Sequence, residues 1–132
     1  MTAIIYTDGS CLKNPGIGGW AYYIDQHEEF AIINQGNKQN TTNNRMELTA
    51  VIKALKNCNK KECNIFSDSL WVINCAQHIW KRKMNLDLWE KFDQQAKNIK
   101  INWFWIKGHA NNKLNKLVDF LANQSAKQLK QI

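Results

Sequence analysis

Proline occurs once in this chain of 132 residues and glycine six times, which excludes a collagen-like protein or one dominated by linkers. Long hydrophobic runs are missing as well. No apolar stretch approaches the length of a membrane span, and the opening Met1-Thr2-Ala3-Ile4-Ile5-Tyr6 lacks the basic-then-apolar layout of a signal peptide. A soluble cytoplasmic protein with no membrane partner is expected. Cysteine is present but badly spaced for staples or zinc. Cys11, Cys58, Cys63 and Cys75 include no Cys-x-x-Cys pair, and no histidine stands at finger spacing. Reduced thiols follow. Acidic residues are the scarce charge, 11 against 18 Lys and Arg, so the net charge is +7. That excess reads either as a solubilising surface or as the footprint for a polyanion, and charge alone does not choose.

What is present is a core. With 44% hydrophobic residues, six Trp and five Phe the chain is globular, and its length fits a single domain over residues 1–132. Three short β-like runs open it, at Ala3–Asp8, Trp20–Asp25 and Glu29–Asn34. Between the first two, Gly9–Gly19 reads as a long glycine-rich loop of the kind that meets ligands. Helical spacing then covers Asn44–Lys56, with Asn44 as N-cap and Glu47 in capping-box position. Cys63–Asp68 reads as a fourth strand leading into a helix after Ser69. Leu86–Lys97 follows as a helix with Asp87 and Glu90 as its cap pair, and Lys100–Lys107 as a fifth strand covered on both faces. A last helix begins near Asn112, with Leu114, Leu117, Val118 and Leu121 as its apolar stripe. The order βββαβααβα predicts an α/β fold with a mixed sheet: three antiparallel strands, then two parallel ones returned through helices.

Four of the acids stand in unusual places. Asp8 ends the first strand and Asp68 the fourth; if those strands are parallel neighbours, both carboxylates emerge at the carboxyl edge where open α/β sheets hold ligands. Glu47 lies at the start of its helix. Asp119 shares a helix face with Asn115, off the leucine stripe. Taken singly, each has an ordinary use: a turn at Asp8-Gly9, a capping box at Glu47, an N-cap at Asp68, a solvated helix acid at Asp119. Gathered together they would repel one another and oppose folding, unless a hard divalent cation such as Mg²⁺ relieved them. Two such ions about 3.5–4 Å apart activate a water and stabilise the leaving oxygen of an in-line phosphoryl displacement. A basic protein with an acidic metal centre suits phosphodiester chemistry on nucleic acid.

The local strings then carry a resemblance. Thr7-Asp8-Gly9-Ser10-Cys11-Leu12-Lys13-Asn14-Pro15-Gly16, Thr41-Thr42-Asn43-Asn44-Arg45-Met46-Glu47-Leu48, Ser67-Asp68-Ser69, Ile106-Lys107-Gly108-His109-Ala110 and Asn115-x-x-x-Asp119-x-Leu121-Ala122 resemble, in order, the blocks of type 1 ribonucleases H. The resemblance implies a ribonuclease H-like fold and a monomeric endonuclease. Such an enzyme hydrolyses the RNA strand of RNA/DNA hybrids, leaving 5′-phosphate and 3′-hydroxyl ends. It implies two Mg²⁺ ions, with Mn²⁺ able to substitute, held by Asp8, Glu47, Asp68 and Asp119, and proton transfer or product departure assisted by His109. It also implies substrate contacts from Gly9, Ser10, Cys11, Asn14, Thr42, Asn43, Asn44, Trp71 and Asn115, which read 2′-hydroxyls, phosphate and sugar. His27 and His78 match no block and are expected on the surface.

The chain departs from many bacterial relatives in one stretch. They carry a long basic protrusion after the third block; here only Leu70 to Leu86 intervenes, and Lys81-Arg82-Lys83 is expected to supply phosphate contacts in its place. Two other readings share the fold: a catalytically silent nucleic-acid-binding module, which loss of a metal carboxylate would favour, and a domain derived from a reverse transcriptase.

Overall fold

The structure is a computed structural model and describes residues 1–107 and 112–131. Its elements run β1 (Thr2–Cys11), β2 (Gly16–Asp25), β3 (Ile32–Thr41), α1 (Asn43–Lys56), β4 (Glu62–Ser67), α2 (Leu70–Ala76), α3 (Leu86–Ala96), β5 (Lys100–Trp105) and α4 (Lys113–Lys130). The strands form one sheet in the order β3-β2-β1-β4-β5. β2 is antiparallel to β1 and β3, whereas β4 is parallel to β1 and β5. This is the mixed five-stranded sheet that the element order predicts. Among the described residues no helix is long and apolar enough to cross a membrane, and all four thiols are free.

Alternation along each strand divides the core in two. Ile5, Ile24 and Ile65 face α1, α2 and α3 and pack with Leu48, Val51, Val72 and Trp89. Their neighbours Tyr6 and Ala21 face α4 and meet Val118 and Ala122. On that second face the register Tyr6–Phe66–Phe104 stacks three rings across β1, β4 and β5, with centroids 4.7 and 4.9 Å apart.

Several boundaries differ from expectation. Gly9–Gly19 is mostly strand: β1 continues to Cys11, β2 starts at Gly16, and the Leu12 amide donates to the Ile17 carbonyl at 2.9 Å. Glycine serves close packing here. A Cβ on Gly19 would stand 2.1 Å from the Ala122 carbonyl oxygen, so its absence lets α4 lie on the sheet. β3 begins at Ile32 and runs to Thr41, because its second half is an exposed polar edge with no apolar alternation to betray it. β5 is the opposite edge, so Trp103 is covered while Phe104 and Trp105 are about half exposed, 43% and 50%; it is not covered on both faces.

The caps differ too. Thr42, not Asn44, caps α1 by accepting from the Arg45 amide. α3 is entered through Asn85 in the left-handed region, φ 60°, with no side-chain cap, and Asp87 pairs with Arg45 at 2.7 Å instead. α4 buries Asn115, Val118, Ala122, Ser125 and Ala126, leaving Leu114, Leu117 and Leu121 half-buried at its flanks. Asn115 therefore lies on the inner face, and Asp119 on the exposed one.

Candidate active site

Parallel pairing of β1 with β4 ends at Tyr6 opposite Phe66, so two residues further on Asp8 and Asp68 emerge at the same edge. Asp8 is inside β1, which continues beside β2 alone, and Asp68 lies just past the end of β4. Glu47 reaches them from α1. One oxygen from each of Asp8, Glu47 and Asp68 lies within 4.8 Å of the others. Asp8 and Glu47 are buried, 3% and 6% exposed. Asp119 on α4 stands close enough to Asp8 to bear on its charge, so all four carboxylates converge.

Their ordinary uses fall away in turn. Ser69, not Asp68, caps α2 by accepting from the Val72 amide at 3.1 Å, which leaves the Asp68 carboxylate free of that task. The Asp68 carbonyl accepts from Trp105 Nε1 at 3.3 Å. Glu47 takes no part in a capping box; its Oε1 accepts from the Gly9 amide instead.

The electrostatics are those of a centre built for a cation. Burial first, and the neighbouring Asp68 and Asp119 second, push the Asp8 carboxyl from 3.8 up to about 8, against a hydrogen bond with Glu47 that pulls the other way. Glu47 is raised well above the carboxylate range by its burial, and then by the charges of Asp8 and Asp68. Hard oxygen donors that repel one another in a buried cluster fit a hard divalent cation. Asp8, Glu47 and Asp68 would hold it, with Asp119 at their side.

The expected substrate residues fall into two groups. Gly9, Ser10 and Cys11 continue β1 past Asp8, and the Cys11 thiol donates to the Lys13 carbonyl at 3.0 Å. Asn14, Thr42, Asn43, Asn44 and Trp71 line a cleft of about 940 Å³ that reaches Trp80. Asn14 Oδ1 accepts from the Asn43 amide at 3.1 Å and so ties the hairpin turn to the start of α1. Trp71 serves two surfaces, lining the cleft while its ring lies 5.5 Å from that of buried Trp89. Asn115 is buried on α4 and does not line this cleft. His27 and His78 are exposed, as expected. His109 lies outside the described residues.

Two residues escaped the sequence reading. Asn123, one helical turn after Asp119, accepts from Ser10 Oγ at 2.6 Å and donates through Nδ2 to Asp119 Oδ1 at 3.3 Å and to its carbonyl at 3.0 Å. The i+4 spacing was the available signal. Arg82 was assigned to phosphate, but its side chain is turned inward, 10% exposed, and paired with Asp93 at 2.8 Å.

The RNase H family model matches residues 1–127. A ribonuclease H of Treponema denticola is 39% identical, covering 98% of this chain and 99% of its own. A ribonuclease H of Campylobacter jejuni is 42% identical over 92% of this chain and 89% of its own. Among solved structures, LC11-RNase H1 in complex with an RNA/DNA hybrid superimposes with a TM-score of 0.80 at 25% identity, covering 98% of this chain and 99% of that one. Similarity of this extent settles the family: the chain is a hydrolase and belongs to the ribonuclease H family.

Proposed function

We propose that this protein is a divalent-metal-dependent endonuclease that hydrolyses the RNA strand of RNA/DNA hybrids. The observation that carries the reading is the convergence of Asp8, Glu47 and Asp68 within 4.8 Å, two of them buried, in a chain of net charge +7. The hybrid bound to LC11-RNase H1, a protein of the same fold, supports the choice of substrate. Two Mg²⁺ ions, or Mn²⁺ in their place, would supply an activated water and charge to steady the leaving oxygen.

The chain's own residues do the rest. Asp8, Glu47, Asp68 and Asp119 supply the carboxylate oxygens. The Gly9 amide fixes the rotamer of Glu47, and Asn123 fixes Asp119. A water oxygen bonds to phosphorus as the P–O3′ bond breaks; the departing 3′-oxygen takes a proton, leaving 3′-hydroxyl and 5′-phosphate ends. His109 is assigned to proton transfer or product departure at this step. Gly9, Ser10, Cys11, Asn14, Asn43 and Asn44 offer short amides, hydroxyls and main-chain groups at a shallow surface, suited to the 2′-hydroxyls that distinguish RNA from DNA. Thr42 at the start of α1 suits a DNA phosphate, and Trp71 a deoxyribose.

The test is cleavage of matched RNA/DNA, RNA/RNA and DNA/DNA duplexes, with Mg²⁺ and then with chelator. Cutting confined to the RNA of the hybrid and abolished by chelation is expected. A hybrid that binds but is never cut would overturn the reading in favour of a silent binding module.

A further inference from the structure

Residues 77–85 join α2 to α3 without a helix or strand of their own, yet they are tied down at one point. Arg82 Nε donates to the Cys75 carbonyl at 2.8 Å and Nη2 to the Ala76 carbonyl at 3.2 Å, satisfying the open end of α2. Its Nη1 donates to both carboxylate oxygens of Asp93 on α3, at 3.0 and 2.8 Å. The guanidinium also lies 4.4 Å from the ring centre of Trp89 and 5.7 Å from that of Phe92. Only a planar fork meets two carbonyls, a carboxylate and two rings at once; a lysine ammonium does not.

The neighbours of Arg82 point the other way. Lys81 and Lys83 are exposed, and with half-exposed Trp80 they line the cleft that Asn14, Asn43 and Asn44 also line. No carboxylate lines that cleft, and among the described residues neither lysine pairs with one. A basic, aromatic wall of this kind matches a sugar-phosphate backbone. Asp8, Glu47 and Asp68 do not line the cleft, so a strand lying in it is not the strand at the metal centre.

We propose that residues 77–85 form a grip on the backbone of the uncut strand, made by Lys81 and Lys83, and that Arg82 is the positioning residue that holds this grip in shape. The proposal rests on the reading of the chain as a hybrid nuclease. Arg82 touches no phosphate itself.

The experiment compares Arg82→Lys, the double variant Lys81→Ala/Lys83→Ala, and all three changes together, by KM, kcat and Tm on one hybrid over a range of salt. Arg82→Lys should raise KM roughly tenfold and leave kcat within about twofold. It should flatten the log–log salt dependence by about 1.8, the loss of two phosphate contacts, as the double variant does. Adding Arg82→Lys to the double variant should change KM by less than about twofold, because the grip is already gone. Additive losses, with a further drop of about 0.9 in slope, would mean that Arg82 contacts phosphate and would overturn the proposal. So would a folded Arg82→Lys protein with the parent KM. Should that variant not fold, Asp93→Asn loosens the same bolt from α3 and should raise KM with the same flattened slope; an unchanged KM there overturns the proposal. Hybrid affinity measured in chelator repeats the comparison without turnover. A parent protein that binds but never cuts thus fails the nuclease reading, while the grip is still judged on binding.

Discussion

The Gly9 amide donates to Oε1 of Glu47, and a Cβ on Gly9 would stand 2.2 Å from the Glu47 nitrogen and 2.4 Å from the Met46 carbonyl carbon. The strand that carries Asp8 and the helix that carries Glu47 therefore touch backbone to backbone at the metal centre. Gly9→Ala forces them apart. The cost in stability should be about 1–3 kcal/mol, the usual penalty for overpacking. Because Glu47 moves with its helix, kcat should fall by about 100-fold, as a displacement of about 1 Å at a reacting centre does. Thermal unfolding and steady-state kinetics together check this. A stable variant with full turnover would mean that the contact does not set the position of Glu47.

The repelled carboxylates predict how pH and metal act on stability. Asp8 is held at about 8 in the folded protein against an ordinary 3.8, so between those values the fold keeps a proton that the unfolded chain has released. Stability of the metal-free protein therefore falls as pH rises from about 4 to about 8 and levels off above that. Glu47, raised by burial and the same neighbours, acts in the same direction. A divalent cation should reverse the loss, most strongly near pH 8, and release protons as it binds at pH 6–7. Tm in chelator and in Mg²⁺ across this range is the measurement. Asp8→Asn should flatten the metal-free profile, raise Tm at pH 8 and abolish cutting together.

Asn123 links the end of β1 to Asp119, accepting from Ser10 and donating to the carboxylate. Partners that orient ligands in this way are commonly worth about 10–100-fold in metal affinity or activity. Asn123→Ala should accordingly raise the Mg²⁺ concentration for half-maximal activity by about tenfold. Ser10→Ala, which leaves the Asn123–Asp119 bond intact, should do less. A metal titration on both variants separates this from general destabilisation, which would lower Tm without moving the metal requirement.

Much of this site was legible in the sequence, because strand ends and helix starts are local. Asp8 and Asp68 follow runs of alternating apolar residues, and Glu47 opens a helical pattern, so the topology alone brings them to one edge. What the sequence hid depends on competition between neighbours. Thr42 and Asn44 are both good caps, and only the chain path selects Thr42. Lys81, Arg82 and Lys83 are equivalent as charges, and only the open end of α2 and the rings of Trp89 and Phe92 draw Arg82 inward. Along α4 the leucines outweigh the small residues by hydrophobicity, yet the sheet at Gly19 admits only a helix face of small side chains, so Ala122 and Ala126 lie beneath. The polar second half of β3 gives no periodic signal at all.

His109 lies outside the described residues, so its prediction rests on chemistry alone. An imidazole with an ordinary pKa near 6.5 exchanges protons readily at neutral pH, and positioned acid–base groups typically contribute about 100- to 10,000-fold. If His109 aids the leaving oxygen or the release of product, its loss removes that help and leaves the carboxylates to their task. His109→Ala should slow turnover by about 100-fold, less than Asp8→Asn does, with the Mg²⁺ requirement unchanged. The pH–rate profile should lose a limb in the imidazole range, and added imidazole should restore part of the rate. A loss as deep as that of Asp8→Asn, together with a higher metal requirement, would move His109 from proton transfer into the metal centre itself.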